Sequence, residues 1–154
     1  MRARVGPRCD YWSMTRFVVD AAAALRLAET GSAVPDAHEL LAPTLLRSQA
    51  LSAMHEAAHR GELTATEARE RLARLNRLKI RLLGDGVLRS TAWKIADELG
   101  WESTYAAEYV ALTRLQADYL VTLDDDLARA VEGVVPTAPF DALLDPAAVR
   151  PSTT

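Results

Sequence analysis

Tyr119-Leu-Val-Thr-Leu-Asp124 is a short apolar run closed by a carboxylate, and Arg16-Phe-Val-Val-Asp20 repeats the pattern near the start of the chain. Apolar, β-branched runs of this length read as strands buried on both faces of a parallel sheet. An acid at the carboxyl end of such a strand sits at the sheet edge, where open α/β folds bind ligands. Parallel strands point their carboxyl ends the same way, so Asp20 and Asp124 are expected on one edge. Two carboxylates held side by side there repel unless a proton or a cation joins them.

Working outward from these runs, strand and helix signals alternate. Ala21 to Thr30 is rich in helix formers and stops at Gly31, a C-cap residue. Asp36 is a candidate N-cap for a short helix ending near Glu39. Leu40-Leu41-Ala42 is too short for a helix with Pro43 behind it and reads as a second strand. Thr44 can cap a helix running to about Arg60, stopped by Gly61. Thr64 and Glu67 form a capping box that opens a third helix, to about Arg77. Ile80 to Leu83 reads as a strand or an extended link, and Val87 to Leu99 as a helix capped by Gly100. Ser103 or Thr104 caps another helix to about Gln116, with Tyr105, Tyr109 and Leu112 on one stripe. Leu120 to Leu123 is the clearest strand; Asp125 to Val131 can form a short helix, and Val134-Val135 a last strand. The alternation predicts an α/β fold with a small, mainly parallel sheet and helices on both faces.

The chain has 154 residues, enough for one domain with one core. No apolar run approaches the ~20 residues that a membrane helix needs. Residues 1–14 are expected to be a flexible tail, with Met14 an alternative start; 15–145 form the domain, and 146–154 a C-terminal tail. The absence of a leader-like apolar stretch points to a cytoplasmic protein. A single cysteine, Cys9, excludes an internal disulfide and a cysteine zinc cluster. The net charge of −3 gives no overall attraction to nucleic acid. A local basic patch remains open: arginine supplies 16 of the 18 basic residues.

A hard divalent ion such as Mg²⁺ or Mn²⁺ takes oxygen ligands and would reconcile Asp20 with Asp124. Such an ion can make water nucleophilic and stabilise charge developing on a phosphate. The competing reading is that both aspartates simply cap the helices that follow them.

Phe17-Val-Val-Asp20, Leu41-Ala-Pro-Thr-Leu-Leu-Arg-Ser48, Thr104-Tyr-Ala-Ala-Glu-Tyr-Val-Ala-Leu112 and Leu120-Val-Thr-Leu-Asp124 resemble the successive blocks of a PIN domain. They are most similar to the VapC toxins of bacterial VapBC toxin–antitoxin pairs, over residues 15–145. The resemblance implies a compact PIN-like α/β/α sandwich that hydrolyses RNA with three or four acids holding Mg²⁺ or Mn²⁺. It also implies a homodimer and a VapB-like antitoxin partner. The first acid of the family falls on Asp20 and the last on Asp124, with Thr122 at a hydroxyl position beside the site.

Two positions depart from the family. The acid of the second helix falls on Gln49, which brings an amide but no charge. The third acid, in the pattern Thr-Tyr-Asp-Ala-Glu-Tyr, falls on Ala106, which cannot coordinate anything. An engineered exchange and natural loss both account for this alanine; the intact block around it favours the exchange. The resemblance therefore implies a metal-dependent endoribonuclease impaired in this chain. The alternative is a non-catalytic PIN-like module that binds RNA or protein.

Asp126, or Asp125, reads either as an extra ligand on the turn after the strand or as an acid favouring a helix dipole. Arg74, Arg77 and Arg81 share a helical face if the helix persists that far, and read as a phosphate track for RNA or as a solvated face beside Leu72, Leu75 and Leu78. Arg47, two residues before Gln49, is expected beside the site, facing a phosphate or an antitoxin carboxylate. His55 and His59 lie four apart on one helix, but no third ligand is evident, so with His38 they read as surface or packing residues. Trp93, Trp101, Tyr105 and Tyr109 are expected in the core and at a dimer surface.

Overall fold

The computed structural model of the chain describes residues 14–147. Four strands form one wholly parallel sheet in the order β3-β2-β1-β4. They are β1 (Thr15–Val19), β2 (His38–Pro43), β3 (Ile80–Leu83) and β4 (Tyr119–Val121). The helices among the described residues are α1 (Ala21–Thr30), α2 (Leu45–His59), α3 (Ala65–Arg77), α4 (Gly86–Leu99), α5 (Tyr105–Gln116) and α6 (Asp125–Ala130). The expected class is the observed one: an α/β fold with a small parallel sheet flanked by helices.

β1 lies in the middle because its apolar residues need cover on both faces. Phe17, Val18 and Val19 are completely buried. Val19 pairs in register with Val121, and Phe17 with Leu40. α1, α2 and α3 pack against one another, α4 lies on α5, and α5 lies against β1, β2 and β4. The helix ends follow their local chemistry. Gly31 (φ 65°) and Gly100 (φ 69°) close α1 and α4 in the left-handed region that glycine enters without strain. Thr64 and Glu67 form the expected capping box.

Three expectations are corrected. The residues from Asp36 to Glu39 form no helix: Asp36 and Ala37 make a turn, and His38 and Glu39 already belong to β2. The long-range environment of His38 decides this. Its ring meets Phe17 edge-on at 4.9 Å, and its Nδ1 donates to the Leu143 carbonyl at 3.1 Å. Val134 and Val135 form no strand, because Gly133 (φ 79°) turns the chain and both amides donate back to the Val131 carbonyl. The partner of β4 comes slightly later, where Thr137 bridges Leu120. β4 itself stops at Val121, so Thr122 and Leu123 lie in the turn after it. Of the aromatic residues expected in the core and at a dimer surface, Tyr109 is buried, and Trp93 (66% exposed) and Tyr105 (59%) stand on the surface.

The expected tails lie outside the described residues, except for Met14, Pro146 and Ala147. Among the described residues, no helix is long and apolar enough to cross a membrane.

Candidate functional site

The carboxyl ends of β1 and β4 are neighbours, and each hands the chain to a helix through an aspartate. Asp20 is the N-cap of α1, its Oδ1 accepting from the Ala23 amide at 2.8 Å. Asp124 is the N-cap of α6, its Oδ1 accepting from the amides of Asp126 and Leu127. The capping reading therefore holds for both, and it leaves the second oxygen of each for other work.

Thr122 ties the two tips together. Its hydroxyl donates to Asp20 Oδ2 and accepts from the Asp124 amide at 3.0 Å. This threonine stands just past the last pair of the ladder, where β4 turns away.

The electrostatics follow from this crowding. Burial pushes the Asp20 carboxyl above its ordinary value. Hydrogen bonds from Thr122 and from the Ala23 and Leu123 amides pull the other way, and the charge of Asp124 adds to the upward push. The net direction is up, as expected of a half-buried carboxylate facing a like charge.

A cleft of about 1050 Å³ opens over these tips. Asp20, Gln49, Ala106, Asp124 and Asp126 all line it. Residues far apart in the chain thus line one cleft. Gln49 comes from the wall of α2 and Ala106 from the first turn of α5. Asp126 reaches the rim but is held by Arg129 in an exposed ion pair. Asp125 does not line the cleft. Among the described residues, no three His, Cys, Asp or Glu side chains converge as a ready metal cage.

The donor chemistry still fits a hard cation. Asp20 and Asp124 offer carboxylate oxygens at neighbouring strand ends, tied together by Thr122. Ala106 lines the same cleft as Asp20 and Gln49.

Sequence reasoning missed part of the lining. Tyr109, assigned to packing, donates its hydroxyl to Gln49 Oε1 at 2.6 Å. Glu56 and Glu102 add two further acids, with Ser52 donating to Glu56 at 2.7 Å. Glu56 lies seven residues after Gln49 on the same helix, a spacing that returns it to the same face. That periodicity was a usable signal; the position of Glu102, in a loop, carried none.

Other expected site residues lie elsewhere. Arg47 lines a separate groove with Leu51, Leu72 and Leu75, because two residues along a helix rotate a side chain to about the opposite side. Arg77 lines a third groove with Lys79, Arg81 and His38, at the amino edge of the sheet. Arg74 is exposed near the end of α3. Arg81 belongs to β3, not α3, and pairs with Glu39 at 3.2 Å. The exposed rings of His55 and His59 stack on each other at 6.4 Å. Glu108 is half-buried; burial raises its carboxyl, and Arg89 opposes the rise.

No protein-family model matches the chain, and no curated protein matches it significantly. Among solved structures, the fold is similar to the crystal structure of PAE2754 from Pyrobaculum aerophilum. The TM-score is 0.63 at 23% identity, over 84% of this chain and 94% of that one. At that identity the likeness is one of fold.

Proposed function

We propose that the chain is a metal-dependent endoribonuclease of the PIN-domain type, the VapC-like toxin of a toxin–antitoxin pair, weakened by alanine at position 106. One observation carries this reading. Asp20 and Asp124, from opposite ends of the chain, meet at the carboxyl ends of adjacent strands, under the same cleft that Gln49 and Ala106 line. Three of the four resembling blocks, those around Asp20, Ala106 and Asp124, contribute residues to that cleft.

Asp20 and Asp124 would hold Mg²⁺ or Mn²⁺, with Asp126 a further donor at the rim. The bound ion supplies Lewis-acid stabilisation of the charge that builds on a phosphodiester under attack. The protein's own residues do the rest. Thr122 fixes the Asp20 carboxylate, so that its lone pairs keep one orientation. The α1 and α6 caps hold both carboxylates on rigid elements. Asp20 is half-buried, so its charge is less screened by bulk water than that of the exposed Asp124.

The partners that go with this reading are an RNA substrate, a VapB-like antitoxin covering the cleft, and a second copy of the chain. A cytoplasmic setting is part of the same proposal. The exposed aromatic rings of Trp93 and Tyr105 suit a protein surface that is covered in an assembly.

The deciding experiment is to restore the acid. Ala106→Asp should raise Mn²⁺-dependent cleavage of an RNA oligonucleotide by tenfold or more over the parent chain, and adding Asp20→Asn should abolish the gain. A restored chain as inert as the parent would remove the nuclease reading. It would favour the second one, a non-catalytic module binding RNA or protein, which the uncharged Gln49 and Ala106 already suit.

A further inference from the structure

Gln49 is the neutral side chain standing where the resemblance puts an acid, and the proposed chemistry leaves its task open. It is half-buried on α2, and its Oε1 accepts from the Tyr109 hydroxyl at 2.6 Å. That length suits an O–H···O bond and is shorter than the ~2.7–3.2 Å of N–H···O bonds. The phenol donates to the amide oxygen, so the amide nitrogen is not used in this bond.

Tyr109 is well placed to hold this arrangement. It is only 3% exposed and sits on α5, which lies against β1 and β2, so the core fixes its ring. Burial, and then the charge of Asp20, push its phenol up, so it keeps its proton and donates at every working pH. With Oε1 accepting from Tyr109, the Gln49 amide keeps two N–H groups to offer in the cleft that both residues line. An N–H group cannot ligate a cation; it binds an oxygen that carries negative charge.

We propose that Tyr109 is a positioning residue that turns Gln49 into an anion-facing donor, so that position 49 holds a phosphate oxygen of the substrate and not the metal. This rests on the nuclease reading above and assigns the task of one of its residues. The competing use of Gln49 is ligation of the ion through the second lone pair of Oε1.

The test separates the two uses by measuring metal and RNA independently. Mn²⁺ alone, and then a labelled single-stranded RNA oligonucleotide with saturating Mn²⁺, are titrated into the chain and its Ala106→Asp form, each with and without Gln49→Ala, Tyr109→Phe and the pair. Gln49→Ala should weaken RNA binding about tenfold, the scale of one hydrogen bond to a charged group, and leave Mn²⁺ affinity within twofold. Tyr109→Phe should weaken RNA binding in the same direction, and the double variant should be no worse than Gln49→Ala, since the phenol acts through the amide. A clear loss of Mn²⁺ affinity in Gln49→Ala overturns the inference and leaves the nuclease reading standing. Full additivity of the two substitutions removes the positioning role of Tyr109. If Tyr109→Phe does not fold, Gln49→Ala alone decides between phosphate and metal. Should neither the chain nor its Ala106→Asp form bind Mn²⁺ or RNA, the nuclease reading fails and takes this inference with it.

Discussion

Asp20 is held against its own electrostatic preference. Burial and the charge of Asp124 favour its neutral form, yet it caps α1 and accepts from Thr122 as a carboxylate would. A carboxyl whose folded pKa lies above its unfolded value binds its proton more tightly in the folded state. Stability therefore falls as pH rises from the ordinary carboxylate range through the raised pKa, and stays down above it. Asp20→Asn removes this loss and keeps a capping oxygen, since Asn and Asp cap equally well. In metal-free buffer the variant should melt higher than the parent at neutral pH, and the gap should close as pH falls below the ordinary carboxylate range. Mn²⁺ should raise the melting temperature of the parent and not of the variant. Thermal melts between pH 7 and pH 3 check both points; a parent that is the more stable at neutral pH without metal would contradict them. Asp20 and Asp124 were legible in the sequence because each follows a recognisable strand, whereas Thr122 was singled out only by the family resemblance. The Gln49–Tyr109 bond was not legible, because sixty residues separate its partners and neither breaks a local pattern.

α6 depends on a residue with two tasks, and the two can be pulled apart. Asp124 accepts two amides at the start of this short helix while its charge faces the cleft. Asp124→Asn keeps the cap, so folding stability should change by no more than about 0.5 kcal/mol, whereas Asp124→Ala should cost about 1 kcal/mol. Both should weaken Mn²⁺ binding alike, because both remove the charge. Urea unfolding and a Mn²⁺ titration read the two tasks separately. If Asp124→Asn binds Mn²⁺ as the parent does, Asp124 is a cap and no more. Elements with strong local grammar were legible in the same way: α3 from its capping box, α1 and α4 from the glycines that close them. β2 was read too short and Asp36 as a helix cap because the deciding contacts are remote. His38 meets Phe17 and Leu143, and nothing between Pro35 and Leu40 announces either. Val134-Val135 has strand composition, but Gly133 commits it to a turn, and composition alone does not rank the two signals.

At the scale of the whole molecule, the cations lie away from the cleft. The cleft at the carboxyl ends of the strands is lined by Asp20, Glu56, Glu102, Asp124 and Asp126, with no Lys or Arg among its described lining residues. The cations Arg77, Lys79 and Arg81 line a groove at the amino edge, beside the start of β2, together with Asp36 and Glu39. A five-residue strand such as β1 separates the two edges by roughly 16 Å. A polyanion approaching the cleft therefore meets a negative wall, and the arginines expected to form its track face elsewhere. RNA held at the cleft should then depend on a divalent cation more than on Arg74 and Arg77. Each phosphate neutralised by a cationic side chain contributes about 0.7 to the slope of log affinity against log salt for a single strand. Exchanging both Arg74 and Arg77 for Gln should thus change the slope for the Ala106→Asp chain by less than about 0.7, where two true phosphate contacts would remove about 1.4. Removing Mn²⁺ should weaken binding far more than the double exchange does. A slope flattened by the full amount would instead carry the RNA across the amino edge, and the acidic cleft would be only one end of its path.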